Sequence, residues 1–195
     1  MKRIDPRQHR SIDKLHKAYL TLVREESTPL TIQMLCNEAN VTRPTFYKQF
    51  KDIAELKYHL HDTLLRKLKQ SLTIVNPKPL SELQQVERSR YLTALFEHIY
   101  ENHSTYETLL VEQADSRFIN HMKSVLHDYI DEGITYTGYH HQLRVERPLV
   151  ISFISGAYIE SITWWIQHHY PYTPTQMAAQ LIDLSIYGPY NLHDE

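Results

Sequence analysis

Apolar residues recur at helical spacing along most of the chain. Ile12, Leu15 and Tyr19 share one face of an early segment, and leucines recur every four residues from Leu56 to Leu72. This spacing is typical of amphipathic helices, and the alternation that marks strands never persists long enough to build a sheet. The pattern therefore predicts an all-α protein.

Prolines and capping residues divide this pattern into separate helices. The first predicted helix begins at Pro6, after a capping aspartate, and ends before Pro29. A loop is predicted at 133–146, where glycine and paired histidines interrupt the pattern. The other predicted helices cover about 31–39, 42–50, 52–74, 81–101, 103–112, 117–132, 147–169 and 174–187.

The clearest break in the chain is the pair of prolines at 77 and 79. We place the domain boundary near it, which predicts an N-terminal domain at 1–52 and a second domain at 75–195. The helix from about 52–74 would link the two.

Composition excludes several classes of protein. The 195 residues include one cysteine, so no internal disulfide or cysteine-based zinc site is expected, and all four glycines follow position 132, which excludes Gly-rich phosphate loops. The N-terminus lacks an apolar signal-peptide core, and the charge-free run 148–159 is about half the length of a membrane span. We therefore expect a cytoplasmic protein with no membrane contact.

Charge is distributed unevenly along the chain. Residues 1–70 carry 14 Lys and Arg against 8 Asp and Glu, whereas residues 71–195 carry 7 against 15. The net charge of −2 thus combines a basic first third with an acidic remainder. This asymmetry favours a polyanionic partner for the N-terminal end only.

The segment from Thr31 to Phe50 has the pattern of two short capped helices with a tight corner. Thr31 and Thr42 are N-cap residues, and Asn40 is a residue type that tolerates the left-handed conformation of a corner. Phe46 and Phe50, four residues apart, are predicted to face the core.

Five residues of the second short helix are left outward, namely Arg43, Pro44, Thr45, Tyr47 and Lys48. Arginine can bind a guanine edge with two hydrogen bonds, and threonine and proline can contact a thymine methyl. Tyrosine and lysine suit phosphate oxygens. The set fits a DNA-recognition helix, although two capped helices with a short corner also occur in helical proteins that bind no DNA.

Over residues 8–57 the sequence resembles the TetR family of bacterial transcriptional regulators, through its Ala-Asn-Val-Thr corner and the following Arg-x-Thr-Phe-Tyr-x-x-Phe. The resemblance implies a three-helix helix-turn-helix head and a C-terminal helical bundle that dimerises and holds an effector. It implies a homodimeric repressor on a palindromic double-stranded DNA operator. The DNA-contacting positions that it implies are Thr31, Thr42, Arg43, Pro44, Thr45, Tyr47 and Lys48.

Two positions depart from the family pattern, since Asn40 replaces the usual glycine and Ile53 replaces the lysine that begins the fourth helix. The stretch from Phe153 to Met177 also resembles a Gram-positive subset that includes coactivators of dihydroxyacetone-kinase operons. The alternative function is therefore a non-autonomous coactivator or adaptor that acts through a protein partner.

The predicted helix 147–169 is apolar on nearly all sides, which requires burial all round. A second subunit would supply part of that burial, and we place Tyr158, Ile162, Trp164 and Trp165 at the dimer interface because large aromatic residues are enriched there. The alternative is a central core helix within a monomer.

Candidate catalytic and metal sites are weak. The adjacent pairs His140-His141 and His168-His169 point in different directions on a helix and do not chelate readily. Cys36 lies on an apolar face, where a small buried residue is expected. We expect neither an enzyme nor a metal or other cofactor. Six tyrosines suit either a ligand cavity or, as we favour, the core and interfaces: Tyr100, Tyr106, Tyr129, Tyr136, Tyr139 and Tyr158.

Overall fold

A computed structural model of the protein describes residues 6–25, 29–73, 78, 85–136 and 143–189. This part of the chain is helical and contains no strand, which confirms the all-α prediction. The helices are α1 (Pro6–Arg24), α2 (Ile32–Glu38), α3 (Arg43–Tyr47), α4 (Ile53–Ser71), α5 (Gln85–Glu101), α6 (His103–Glu107), α7 (Ser116–Tyr136), α8 (Arg147–Gln167) and α9 (Pro174–Tyr187).

Two elements differ from their predicted form. The predicted helix 103–112 is α6 followed by a π-helical turn at Thr108–Glu112. The predicted loop from 133 begins later, because α7 continues to Tyr136. Arg147 binds this end of α7: its guanidinium donates a 2.6 Å hydrogen bond to the Thr135 hydroxyl in the extension, and 2.6 Å and 2.8 Å bonds to the side chain and carbonyl of Asp131. A cation near the C-terminal end of a helix interacts favourably with the helix dipole. Residues 137–142 of the predicted loop lie outside the described part.

The chain divides into two compact units, Met1–Leu64 and Leu65–Glu195, with α4 running through the division. The first unit has one core formed by α1, α2, α3 and the first part of α4. Its buried side chains include Leu15, Leu35, Phe46 and Leu56, none of which is accessible to solvent. Each of these four helices is too short or too amphipathic to be stable by itself in water. Their apolar faces share one core.

The second unit is a bundle in which α5 packs on α9 and α7 packs on α8. Its largest fully buried side chains are Phe96, Tyr106, Phe118 and Trp165. Phe96 and Trp165 meet edge to face with ring centroids 5.3 Å apart, a geometry that aromatic pairs prefer. Trp165 also donates a 2.9 Å hydrogen bond from its indole N–H to the carbonyl of Tyr172, which leads into α9.

Helix α8 is only partly covered by the described residues of the protein. Its 21 residues are long and apolar enough to cross a membrane by length and composition, a test that the core helices of globular proteins also pass. Only 28% of its most apolar 18-residue stretch is buried. The helix therefore has an apolar face that the described residues leave exposed.

The corner after α2 has the predicted left-handed residue. Asn40 has a φ of 49°, Val41 N–H donates to the carbonyl of Cys36 at 2.9 Å, and Asn40 N–H donates to the carbonyl of Asn37 at 3.1 Å. This pair of bonds is the Schellman ending of a helix. Because the Asn40 side chain is exposed, its contribution to the fold is chiefly its backbone conformation.

We predict different effects on stability from two substitutions at this corner. Asn40→Ala should lower the free energy of unfolding by about 1 kcal/mol, because alanine tolerates the left-handed region poorly. Asn40→Gly should leave it within about 0.5 kcal/mol of wild type, since glycine adopts positive φ without strain. Urea unfolding followed by circular dichroism measures both. Equal losses for both variants would mean that the asparagine side chain, and not its backbone conformation, stabilises the corner.

Candidate nucleic-acid interface

Both short helices begin with the predicted threonine caps. The hydroxyl of Thr31 accepts a 3.2 Å hydrogen bond from the backbone N–H of Met34, and that of Thr42 accepts a 3.3 Å bond from Thr45. The Thr42 and Thr45 hydroxyls also lie 2.9 Å apart. Side-chain caps of this kind satisfy backbone donors that a helix start leaves unpaired. They fix where α3 begins and hence which of its residues face outward.

The outward set of α3 is placed as predicted from its spacing. Arg43, Pro44, Tyr47 and Lys48 are exposed, and Thr45 is half-buried beneath them. Phe46 is fully buried on the opposite side and meets Tyr47 edge to face with centroids 5.6 Å apart. One short segment thus presents two cations, an aromatic ring and small groups to solvent. Thr31, the seventh predicted contact, lies apart at the start of α2.

One hydrogen bond in the first unit could not be predicted from the local sequence pattern. The side chain of Gln8 on α1 donates to that of Gln49, just after α3, at 2.7 Å. The two residues are 41 positions apart, so periodicity and spacing do not connect them. This bond joins the first helix to the end of the recognition segment.

The start of α4 is acidic where the family pattern has a lysine. Asp52 caps the helix by accepting a 2.8 Å bond from Glu55 N–H, and the Glu55 carboxylate accepts a 2.7 Å bond from Lys51 N–H. Ile53 is partly buried and packs against the core of the first unit. The first turn therefore offers an apolar contact inward and carboxylates outward, and the exposed Lys51 precedes it.

Four further side chains lie where the sequence predicted, whereas Tyr100 and Tyr136 are about half exposed and lie outside the core. Cys36 is buried in the first unit, where burial raises the pKa of its thiol and the Arg43 cation opposes that shift. Tyr106, Tyr129 and Tyr158 are buried in the second unit, and burial raises their pKa values. Tyr139 lies outside the described residues. In the described ranges no group of three or more His, Cys, Asp or Glu is placed to hold a metal ion.

The second unit has two shallow adjoining grooves beside the end of α4. The larger, about 340 Å³, lies between α4 and α7 and is crossed by a 2.9 Å ion pair between Lys69 and Asp128. The smaller, about 140 Å³, is lined by Arg90 of α5 among others. Tyr129 borders both and donates a hydrogen bond to the carbonyl of Tyr91.

The residues assigned to a dimer interface fall on different sides of α8. Tyr158, Ile162 and Trp165 are buried within the second unit, so they fill the core of a single chain and are not available to a partner. Trp164 is 40% exposed. On the same face lie Leu149 and Phe153, which are 59% and 72% exposed. Helix α8 therefore has one buried side and one exposed side, and the four residues predicted for the dimer interface do not form a single surface.

Comparisons with known proteins agree with this architecture. The family model for the C-terminal region of TetR-type transcriptional regulators matches residues 88–187. No curated protein matches the chain.

Several solved structures are similar over nearly the whole chain. They include a TetR regulator from Streptococcus agalactiae (18% identity, TM-score 0.64, covering 92% of this chain and 95% of that one). They also include the regulator FadR from Bacillus subtilis in complex with stearoyl-CoA (14%, 0.65, 93% and 99%) and the dihydroxyacetone kinase operon activator DhaS (15%, 0.61, 90% and 93%). These identities show a shared fold, and the family model covers more than half of the chain. The chain belongs to the TetR family of transcriptional regulators.

Proposed function

We propose that the protein is a DNA-binding repressor that acts in the cytoplasm as a homodimer on a palindromic operator and responds to an effector through its second unit. The observation that supports DNA binding is the exposed set on α3, in which Arg43 and Lys48 flank a proline, a threonine and a tyrosine. Two caps and a buried phenylalanine hold these side chains in one orientation, as a recognition helix in a major groove requires.

Each side chain of α3 has a distinct proposed role. Arg43, in the first turn, reads a base edge, and Pro44 and Thr45 contact thymine methyl groups. Tyr47 and Lys48 contact phosphates, as do the capping residues Thr31 and Thr42, which lie at the two helix starts. Base contacts select the sequence and phosphate contacts fix the position of the head.

Arg43→Ala and Lys48→Ala are expected to differ in how they weaken binding. Loss of a base contact should cost about 1–3 kcal/mol and relax the preference at one base position, whereas loss of a phosphate contact should weaken all sequences alike and reduce the salt slope by about 1. Selection from a random DNA pool, followed by salt titration of the recovered operator, measures both. Arg144→Ala, which removes an exposed cation from the second unit, is the matched control. Wild-type binding by both α3 variants would exclude this helix as the reader.

A coactivator that acts through a protein partner is the second candidate. The acidic, capped start of α4 favours it, because Asp52 and Glu55 surround the position where a phosphate-binding lysine is usual in the family. A head that lacks this contact would bind DNA more weakly by itself, and a partner would then supply the missing affinity. The activator DhaS is among the similar structures.

Ile53→Lys tests the importance of that position. One added phosphate contact should steepen the dependence of log K on log salt by about 0.9 for every sequence. The free energy of unfolding should fall by about 0.5–3 kcal/mol, because Ile53 packs against the core. Ile53→Met, which changes the packing without adding charge, is the control. An unchanged slope in a folded variant would mean that position 53 does not face DNA, and measurable binding by the variant alone would favour the coactivator.

Dimerisation is proposed to use the exposed apolar stripe of α8, defined as Leu149, Phe153, Ala157 and Trp164. Leu149, Phe153 and Ala157 follow at four-residue steps and Trp164 follows two turns later; all four are exposed, and the charged Glu160 lies on the same face. Exposed apolar residues that share one face of a helix are typical of a subunit interface.

Phe153→Glu should convert the dimer to monomer, because it places a carboxylate in the centre of the apolar stripe. Operator affinity should fall with it, since each half-site alone binds weakly. Sedimentation velocity measures the mass, and circular dichroism confirms that the helices remain. Tyr136→Glu, which places the same charge on an aromatic residue exposed outside the stripe, should leave the dimer intact. A Phe153→Glu variant that stays dimeric would locate the interface elsewhere.

The effector is proposed to act by population shift, favouring a spacing of the two heads that does not match half-sites roughly 34–36 Å apart. The groove between α4 and α7 is the proposed site, because α4 is one continuous helix from Ile53 to Ser71. The Lys69–Asp128 pair that crosses the groove is more than half exposed on both sides. Exposed ion pairs contribute little stability, so a ligand can displace this one at small cost.

A further inference from the structure

Two histidines join α1 to α4 inside the first unit. The Nε2 atom of His16 lies 3.0 Å from the Nδ1 atom of His59, and the two rings are tilted by 40° with centroids 5.1 Å apart. His16 is only 8% exposed. The Phe50 ring meets that of His59 edge to face at 5.4 Å. This contact therefore lies against the apolar core that holds α3.

The contact restricts how many protons the pair can carry. An N–H···N bond between imidazoles needs one donor and one acceptor, so it forms when both rings are neutral or when one is protonated. If both rings are protonated, both facing nitrogens are donors and the bond is lost. Two cations 5.1 Å apart at the edge of a core also repel each other. The closed pair thus holds one proton at most, whereas two separated histidines can hold two.

Charged groups of both signs lie near the pair and do not remove the limit on the second proton. On α4, Glu55 and Asp62 lie about one turn to either side of His59, and with Tyr58 and His59 they line a groove of about 320 Å³. The segment before α4 adds Lys51 and Asp52 to this groove. On α1, Asp13 and Tyr19 lie three residues to either side of His16. Whatever the balance of these charges, the facing nitrogens exclude a second proton while the contact is closed.

We propose that the His16–His59 pair is a proton-sensitive joint that opens α1 from α4 when the protein is acidified. Opening allows one more proton to bind, so the opening equilibrium constant should rise below about pH 6.5, where free histidine titrates, and approach a tenfold increase per pH unit. Acid favours the open state because the open state binds more protons than the closed state. Because the joint supports the core beneath α3, acid should also release the recognition segment. This inference does not depend on DNA binding.

The test is hydrogen exchange of the full chain between pH 7.5 and pH 5.0, read by mass spectrometry on peptides from α1 and corrected for intrinsic exchange rates. Wild-type α1 should lose protection by roughly five- to tenfold per pH unit below about 6.5. His59→Gln should lack this dependence, because glutamine donates and accepts hydrogen bonds without titrating. His9→Gln, which removes an exposed histidine from α1, should behave as wild type. Peptides of the second unit are unsuitable as references, since burial lowers the pKa of its His98.

Equal pH dependence in wild type and His59→Gln would overturn the proposal. If that variant does not fold, His16→Gln makes the same comparison. Imidazole proton resonances of the wild type give an independent measure. Coupled titration of His16 and His59, with the second proton bound only as α1 protection falls, supports the joint. Independent titration of both near pH 6.5 with α1 protection retained refutes it.

Discussion

The recognition segment depends on the burial of Phe46. Helix α3 has only five residues, and an isolated helix of that length is unstable in water. Its conformation comes from the Thr42 cap on one side and from the fully buried Phe46 ring on the other. The exposed side chains of α3 take their directions from these two anchors. Any change that loosens the core of the first unit therefore also changes the proposed DNA surface.

This dependence explains why contacts distant from α3 matter to it. Gln8 reaches Gln49 from α1, and His16 reaches His59, whose ring in turn meets Phe50. All three contacts lie around the core that Phe46 fills. The buried apolar face of α1 holds it on this core, and these polar contacts at the edge add to that packing.

Helix α8 has apolar residues on two sides, one in the core and one exposed. Tyr158, Ile162 and Trp165 fill the core of the second unit, and the stripe that contains Phe153 and Trp164 faces away from it. Exposed apolar area of this extent is costly for an isolated chain, and a second subunit would remove it from water. The proposed dimer thus follows from the residues that the core does not use.

The sequence by itself determined the local structure of the helix-turn-helix segment. Caps at Thr31 and Thr42, the left-handed Asn40 and the outward set around Arg43 all follow from interactions within about five residues along the chain, and the structure has these caps, this corner and this exposure. Family membership also followed from this segment, and the family model confirms it through the other end of the chain.

Only the tertiary structure decided the features that join distant residues. The extension of α7 accepts a hydrogen bond from Arg147 of the next helix, and the His16–His59 contact joins positions 43 apart. The two sides of α8 could not be separated by periodicity, because apolar residues occupy both. Helical spacing identifies a face only when polar residues mark its opposite, and on α8 the packing of α7 and the other helices of the bundle decides which apolar residues are core and which remain exposed.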